Sequence, residues 1–113
     1  MRVRLEISIL PLVNVSMVHA RLGQSDQAET ALRQALKIDP TNATANFNLG
    51  LLLAEQGKPP EAEAALRTAL QSDPQFPEAA YNLGVLLAKD RPSEAVSLSR
   101  RALAVYGHVK GDQ

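Results

Sequence analysis

The chain has 113 residues, 45% of them hydrophobic and 21% charged, with 12 Lys and Arg balanced by 12 Asp and Glu and no cysteine. That length supports one domain at most, and zero net charge supplies no long-range field for nucleic acid or an anionic membrane. Without cysteine there is no disulfide, thiolate metal site, Cys nucleophile or covalent haem, and the redox compartment stays open.

Residues 1–8 read as a leader outside the main pattern. Arg2 to Ile9 alternate polar and apolar, a strand signature, although one strand without a partner is not stable. MRVR followed by LEISILPLVNVSMV and Val18-His19-Ala20 also imitates a signal peptide. Glu6, Pro11 and Asn14 interrupt its apolar centre, and cleavage after Ala20 would remove a helix that the later pattern requires. The longest uncharged runs, Ile7 to Ala20 and Thr41 to Ala54, fall short of the roughly 20 apolar residues of a membrane span. A soluble chain is expected, cytoplasmic in the first instance, with a periplasmic or exported location left open.

From Ile9 onward the sequence repeats. NFNLGLLLA, beginning at Asn46, is answered by YNLGVLLA, beginning at Tyr81, with the shared Asn-Leu-Gly thirty-four residues apart. Val15, Ser16, Ala28, Leu32, Ala35, Leu36, Asp39 and Pro40 form the first copy. Leu49, Gly50, Ala62, Leu66, Ala69, Leu70, Asp73 and Pro74 form the second. Leu83 and Gly84, then Ala95 and Ala102-Leu103 after a one-residue deletion, form the third. The copies occupy about 9–42, 43–76 and 77–107, so 9–107 is one domain and 108–113 a polar tail.

Each copy predicts two helices. Apolar residues recur at helical spacing through Leu49, Leu52 and Leu53, and again through Ala62, Leu66, Ala69 and Leu70. Between them QGKPP is a break, with Gly57 suited to a helix end and Pro59-Pro60 to the next start. Gly50 inside a helix costs about 1 kcal/mol relative to Ala and needs a packing reason. Close approach of the paired helix at Ala62 supplies one, as Gly84 would at Ala95 and Ser16 at Ala28. Pro40 and Pro74 stop the second helix of each pair.

These residues resemble the tetratricopeptide repeat, a helix-turn-helix unit of this period with a Leu-Gly, Ala, Ala and Pro pattern. The resemblance departs where aromatic positions hold Leu or Ala and where Tyr106-Gly107 stands for Asp-Pro. It implies an all-α, right-handed α-solenoid of three antiparallel helix pairs, six helices in all, each pair burying its apolar face against its neighbour. It also implies that the first helix of each pair lines a concave face that binds a protein or peptide.

On that face Asn14, Asn48 and Asn82 recur at one position and would form a ladder. An amide both donates and accepts, so a row of them suits the peptide groups of an extended ligand. The same Asn would equally serve to cap or solvate a helix, and the sequence does not separate the two. Val13, Met17, Phe47, Leu51, Tyr81 and Val85 neighbour the ladder and read either as core or as ligand contacts, with Phe47 and Tyr81 the expected anchors. Arg21, Glu55 and Lys89 form a solvated rim. Some relatives of this kind grip the terminal carboxylate of a chaperone peptide with Lys and Arg. The corresponding places here hold Val13, Glu78 and Asn82, which cannot neutralise a carboxylate.

Catalysis is not expected. His19 and His108 lie too far apart to cooperate, His19 takes a packing position, and no HExxH, GxSxG or phosphate loop is present. Glu61 and Glu63 read as charges favouring a helix N-terminus. Neither cofactor nor metal is expected. The last helix ends in Ala95, Leu98, Ala102, Leu103 and Val105 without a polar cap, so the alternative reading is a segment that self-associates through that end or belongs to a larger protein.

Overall fold

A computed structural model describes the backbone of residues 2–111 and the side chains of residues 9–106. Among the described residues there are six helices and no strand: α1 (Arg2–Arg21), α2 (Ser25–Ile38), α3 (Ala43–Glu55), α4 (Pro59–Ser72), α5 (Pro77–Leu87) and α6 (Pro92–Gly111). This is the all-α helical-repeat solenoid that the period predicts. Helical backbone runs through residues 2–8, where the alternation resembles a strand, and through most of the expected tail. The side chains of 1–8 and 107–113 lie outside the described residues.

Punctuation within and between pairs follows backbone chemistry. Gly23 and Gly57 take φ of 75° and 74°, the left-handed region open to a residue without Cβ. At Gly57 the Lys58 amide donates to Leu53 O at 2.9 Å and the Gly57 amide to Ala54 O at 3.1 Å, which closes α3 with its last carbonyls satisfied. Asp39-Pro40 and Asp73-Pro74 end α2 and α4 after 14 residues each. Tyr106-Gly107 provides no such stop, and α6 continues to 20 residues.

Within a pair the two helices meet at the small residue. A Cβ on Gly50 would lie 2.8 Å from Leu66 Cγ and 3.3 Å from Ala62 O. On Gly84 it would lie 3.0 Å from Ala95 O and 3.1 Å from Ser99 Oγ. Ser16 fits the first pair by turning its hydroxyl onto Val13 O at 2.6 Å, and it is fully buried. Between pairs, α2 packs on α3 and α4 on α5. The backbones of the first helices also approach, α1 to α3 and α3 to α5, whereas among the described residues those of α2, α4 and α6 stay apart, α4 and α6 being joined by the Arg67 and Glu94 side chains. The first helices therefore occupy the inner arc of a curved stack.

The two turns between pairs are held by different chemistry. Asn42 caps α3 by accepting from the Ala45 amide at 2.9 Å, and buried Asn46 donates to Pro40 O and Asn42 O at 3.1 and 3.0 Å. At the second turn Phe76 replaces the cap and meets Phe47, ring centroids 4.9 Å apart. A polar latch also repeats. Glu29 accepts from Arg33 at 2.8 Å and from Gln56 of the next pair at 3.3 Å. Thirty-four residues on, Glu63 accepts from Arg67 at 2.9 Å and from Arg91 of the next pair at 2.7 Å, while Arg67 also reaches Glu94 at 2.8 Å. Glu63 is thus a bridge between pairs as well as a charge near a helix start, and Glu61 alone keeps the simpler role.

Gly50→Ala is expected to destabilise the fold by about 1–3 kcal/mol, because overpacking against Leu66 outweighs the gain in helix propensity. Urea unfolding of the two chains measures this, and an unchanged or higher midpoint would contradict the close approach. The Glu63 carboxyl is held below its ordinary 4.5, first by the hydrogen bond from Arg67 and next by that from Arg91. A carboxyl lowered on folding stabilises above its unfolded value and loses that contribution as pH falls through its folded one. Below about pH 4.5 the native chain should therefore lose melting temperature more steeply than Glu63→Gln, and parallel profiles would remove the latch from the stability of the stack.

Candidate functional site

The inner arc carries the repeated Asn row, because α1, α3 and α5 lie side by side. Asn14, Asn48 and Asn82 share one repeat position, yet the structure gives the three amides different surroundings. Asn14 is exposed. Asn82 is half-buried and donates its Nδ2 to Glu78 O of its own helix at 2.7 Å. Asn48 is half-buried too, but its Nδ2 is shielded from solvent and has no partner among the described residues. The ladder is one in sequence and three different hydrogen-bonding states in the fold.

The apolar neighbours divide as well. Val13, at 4% exposure, belongs to the core beside Ile9, Ala28 and Leu32 and is no part of the groove. Phe47 is half-buried against Phe76, so much of its ring serves the joint between pairs. Leu51 is half-buried, while Met17, Tyr81 and Val85 stand exposed, the last two at 57% each. Arg21, Glu55 and Lys89 are exposed, as a solvated rim requires.

Two concavities include members of the Asn row. The smaller, of about 120 Å³, lies where α1, α2 and α3 meet and is bounded by Met17, Ala28, Leu32, Asn48, Leu51 and Glu55, among others. The larger, of about 460 Å³, lies between α5 and α6 and brings Tyr81 and Asn82 together with Glu78, Leu103 and Tyr106. Tyr106 escapes the repeat logic because it occupies the place of the expected Asp; an aromatic where a stop should be was its only signal.

Position within the stack decides the fate of equivalent residues. Leu49 and Leu83 are 5% and 0% exposed, covered by the pair before them, but Val15 at the same place in the first copy is 46% exposed. Leu70 is 8% exposed beneath α5, and its equivalent Leu103 is 69% exposed. His19 pairs its Nδ1 with Gln24 Oε1 at 2.6 Å across the α1–α2 turn, and the His108 side chain lies outside the described residues. Among the described residues no three His, Asp or Glu cluster as metal ligands, and no helix is long and apolar enough to cross a membrane.

A family model of the tetratricopeptide repeat matches residues 16–75 and 51–107. No curated protein matches the sequence. Similar solved structures include the first TPR of Spaghetti (RPAP3) bound to the HSP90 peptide SRMEEVD, at 20% identity and TM-score 0.81 over 86% of this chain and 78% of that one. MamA is similar at 22% identity and TM-score 0.80, over 90% of this chain and 60% of its own. YrrB, a TPR protein with an unusual peptide-binding site, is similar at 26% identity and TM-score 0.74, over 83% and 49%. The chain thus spans well under two thirds of MamA and about half of YrrB.

Replacing Asn48 by Leu removes a buried donor that has nothing to bond and adds apolar contact with Leu32 and Leu51. An unsatisfied buried donor costs about 1–3 kcal/mol, so Asn48→Leu is expected to raise the urea midpoint, whereas Asn82→Leu, which breaks a made bond, should lower it or leave it unchanged. A lower midpoint for Asn48→Leu would mean that its amide is satisfied in solution.

Proposed function

The chain belongs to the tetratricopeptide repeat family, and from that premise we propose that it is a protein-interaction module holding an extended peptide segment along its inner arc. The observation that carries this reading is the Asn48 amide, a shielded donor without an acceptor, set among apolar residues on the face that curvature makes concave. A peptide carbonyl would supply the missing acceptor as the Asn48 side chain turns outward to meet it, and Asn14 and Asn82 offer further polar contacts along the same row. Met17, Leu51, Tyr81 and Val85 supply apolar contact, and Phe47 contributes the part of its ring that Phe76 leaves free.

The acidic peptide on Spaghetti is not carried over to this chain. Val13 is core, and Glu78 presents a carboxylate where a cation would be needed. Repulsion between like charges at such a site disfavours an acidic ligand. The proposed role is binding, and no catalytic step is assigned.

A second reading has its own support. Leu103 and Val96 on α6 are 69% and 51% exposed, at places where the second pair holds Leu70, 8% exposed beneath α5, and Glu63, reached by Arg91 of the next pair. This surface suits a second copy of the chain or further residues of a longer protein, and makes the module a scaffold.

Peptides selected by the native chain from a random display library should bind the triple variant Asn14→Ala, Asn48→Ala, Asn82→Ala about 100-fold more weakly, at roughly 1 kcal/mol per lost bond. Helicity should be unchanged. Equal binding by the variant would overturn the groove reading. Sedimentation run alongside addresses the second one: a dimer that Leu103→Lys dissociates would favour scaffolding.

A further inference from the structure

The inner arc is uniform in its repeat positions, and the cleft where α1, α2 and α3 meet breaks that uniformity. Its floor is Ala28 and Leu32, at 1% and 2% exposure, with Met17 at the mouth and Leu51 on one wall. At about 120 Å³ it is somewhat smaller than the roughly 150 Å³ cavity that admits benzene, and far larger than the 10–15 Å³ that one water needs. A water there would need two or more polar partners. The Ser16 hydroxyl donates to Val13 O, so within the cleft the Asn48 amide is the donor without a partner, and Glu55 lies at the mouth. The cleft suits an aliphatic side chain of Val or Leu size whose own main-chain carbonyl meets the Asn48 amide as that side chain turns outward.

The mouth adds charge. Glu55, one turn beyond Leu51, borders the cleft, is exposed, and forms no ion pair among the described residues. Its equivalents are Arg21 and Lys89, so within the rim the negative charge sits at this cleft and nowhere else. An anion beside an apolar pocket favours a ligand with a cation next to its apolar residue. Resting on the groove reading above, we propose that this cleft is a side-chain subsite for an extended peptide bearing an aliphatic residue flanked by Lys or Arg, with Asn48 holding the carbonyl and Glu55 the neighbouring cation.

The test uses three capped peptides, Ac-Gly-Lys-Leu-Lys-Gly-NH2, the same with Ala for Leu, and the same with Glu for both Lys. Placing Lys on both sides removes any dependence on chain direction. In NMR titrations of the full chain the first peptide should shift the Asn48 side-chain amide and the methyl groups of Leu32 and Leu51. The Ala and Glu peptides should each bind at least about fivefold more weakly, since three carbons of apolar contact or one favourable charge are lost. Asn48→Leu should abolish the preference for Leu by filling the cleft, and the exposed variant Glu55→Gln, which leaves the core untouched, should equalise the Lys and Glu peptides. Equal affinity for Leu and Ala peptides, or no shift at the cleft with any of them, overturns the subsite. Shifts confined to Tyr81, Asn82 and Val85 would overturn it while leaving the groove reading standing, and unchanged display binding by the triple Asn variant would sink that reading separately.

Discussion

The backbone approach inside each helix pair is the constraint on which the rest depends. Ser16, Gly50 and Gly84 let the first helix lie against Ala28, Ala62 and Ala95, and at Gly50 and Gly84 an added methyl would meet carbonyl or side-chain atoms at about 3 Å. Because the pair is thin, its two outer sides lie near enough to share one apolar layer with each neighbour. Ala35, Ala69 and Ala102, all at 5% exposure or less, continue the same logic on the second helices. Interiors packed this closely transmit any added volume to their neighbours. A larger residue at Gly50 would push Leu66, and Leu66 is among the best buried side chains of the second cluster.

Stacking then needs devices that set the spacing of one pair on the next, and the chain uses several. At the first junction they are polar, with Asn42 and Asn46 tying α3 to the turn and Glu29 reaching Gln56. At the second they are aromatic and ionic, with Phe47 on Phe76 and Glu63 shared by Arg67 and Arg91. In the third copy the latch position is Val96, and the place of Leu66 is Ser99. Exposed ion pairs contribute little singly, and a carboxylate shared by two arginines serves more to select an arrangement than to add stability. Curvature follows from this arrangement: the backbones of the first helices approach along the inner arc, while those of the second helices, linked through turns and side-chain latches, remain apart.

Much of the fold was legible because period, punctuation and small-residue positions are properties of single residues in a line. Gly23 and Gly57 end helices, Pro40 and Pro74 stop them, and a fixed spacing of Leu-Gly and Ala needs no knowledge of neighbours. The site was legible only in outline, since exposure depends on what lies across the stack. Val15, Leu49 and Leu83 occupy one repeat position and differ from 46% to 0% in exposure. Val13 reads as a groove neighbour by its offset from Asn14, yet it lies in the core while Phe47 and Tyr81 at the same offset are half-buried and exposed. Glu63 looks like a helix-start charge until Arg91, twenty-eight residues away, is brought to its carboxylate. Asn46 was hidden for a related reason: its bonds go to a turn whose path the sequence does not specify.

Identity of residue type along the inner row does not confer identity of role. Asn82 spends its donor on its own helix, Asn14 faces solvent, and Asn48 holds a donor out of reach of water. In a low-dielectric setting an unpaired donor is costly, and the cost is relieved by the first suitable acceptor that enters. Affinity at such a point arises partly from the strain of the free state, so it is directional and selective where a solvated amide would be tolerant. On the groove reading proposed above, the first junction, built by α1, α2 and α3, is where discrimination between ligands would concentrate, while the exposed Tyr81 and Val85 further along would provide contact area with little preference. A module of three similar units would thus read a ligand asymmetrically without any change in its fold.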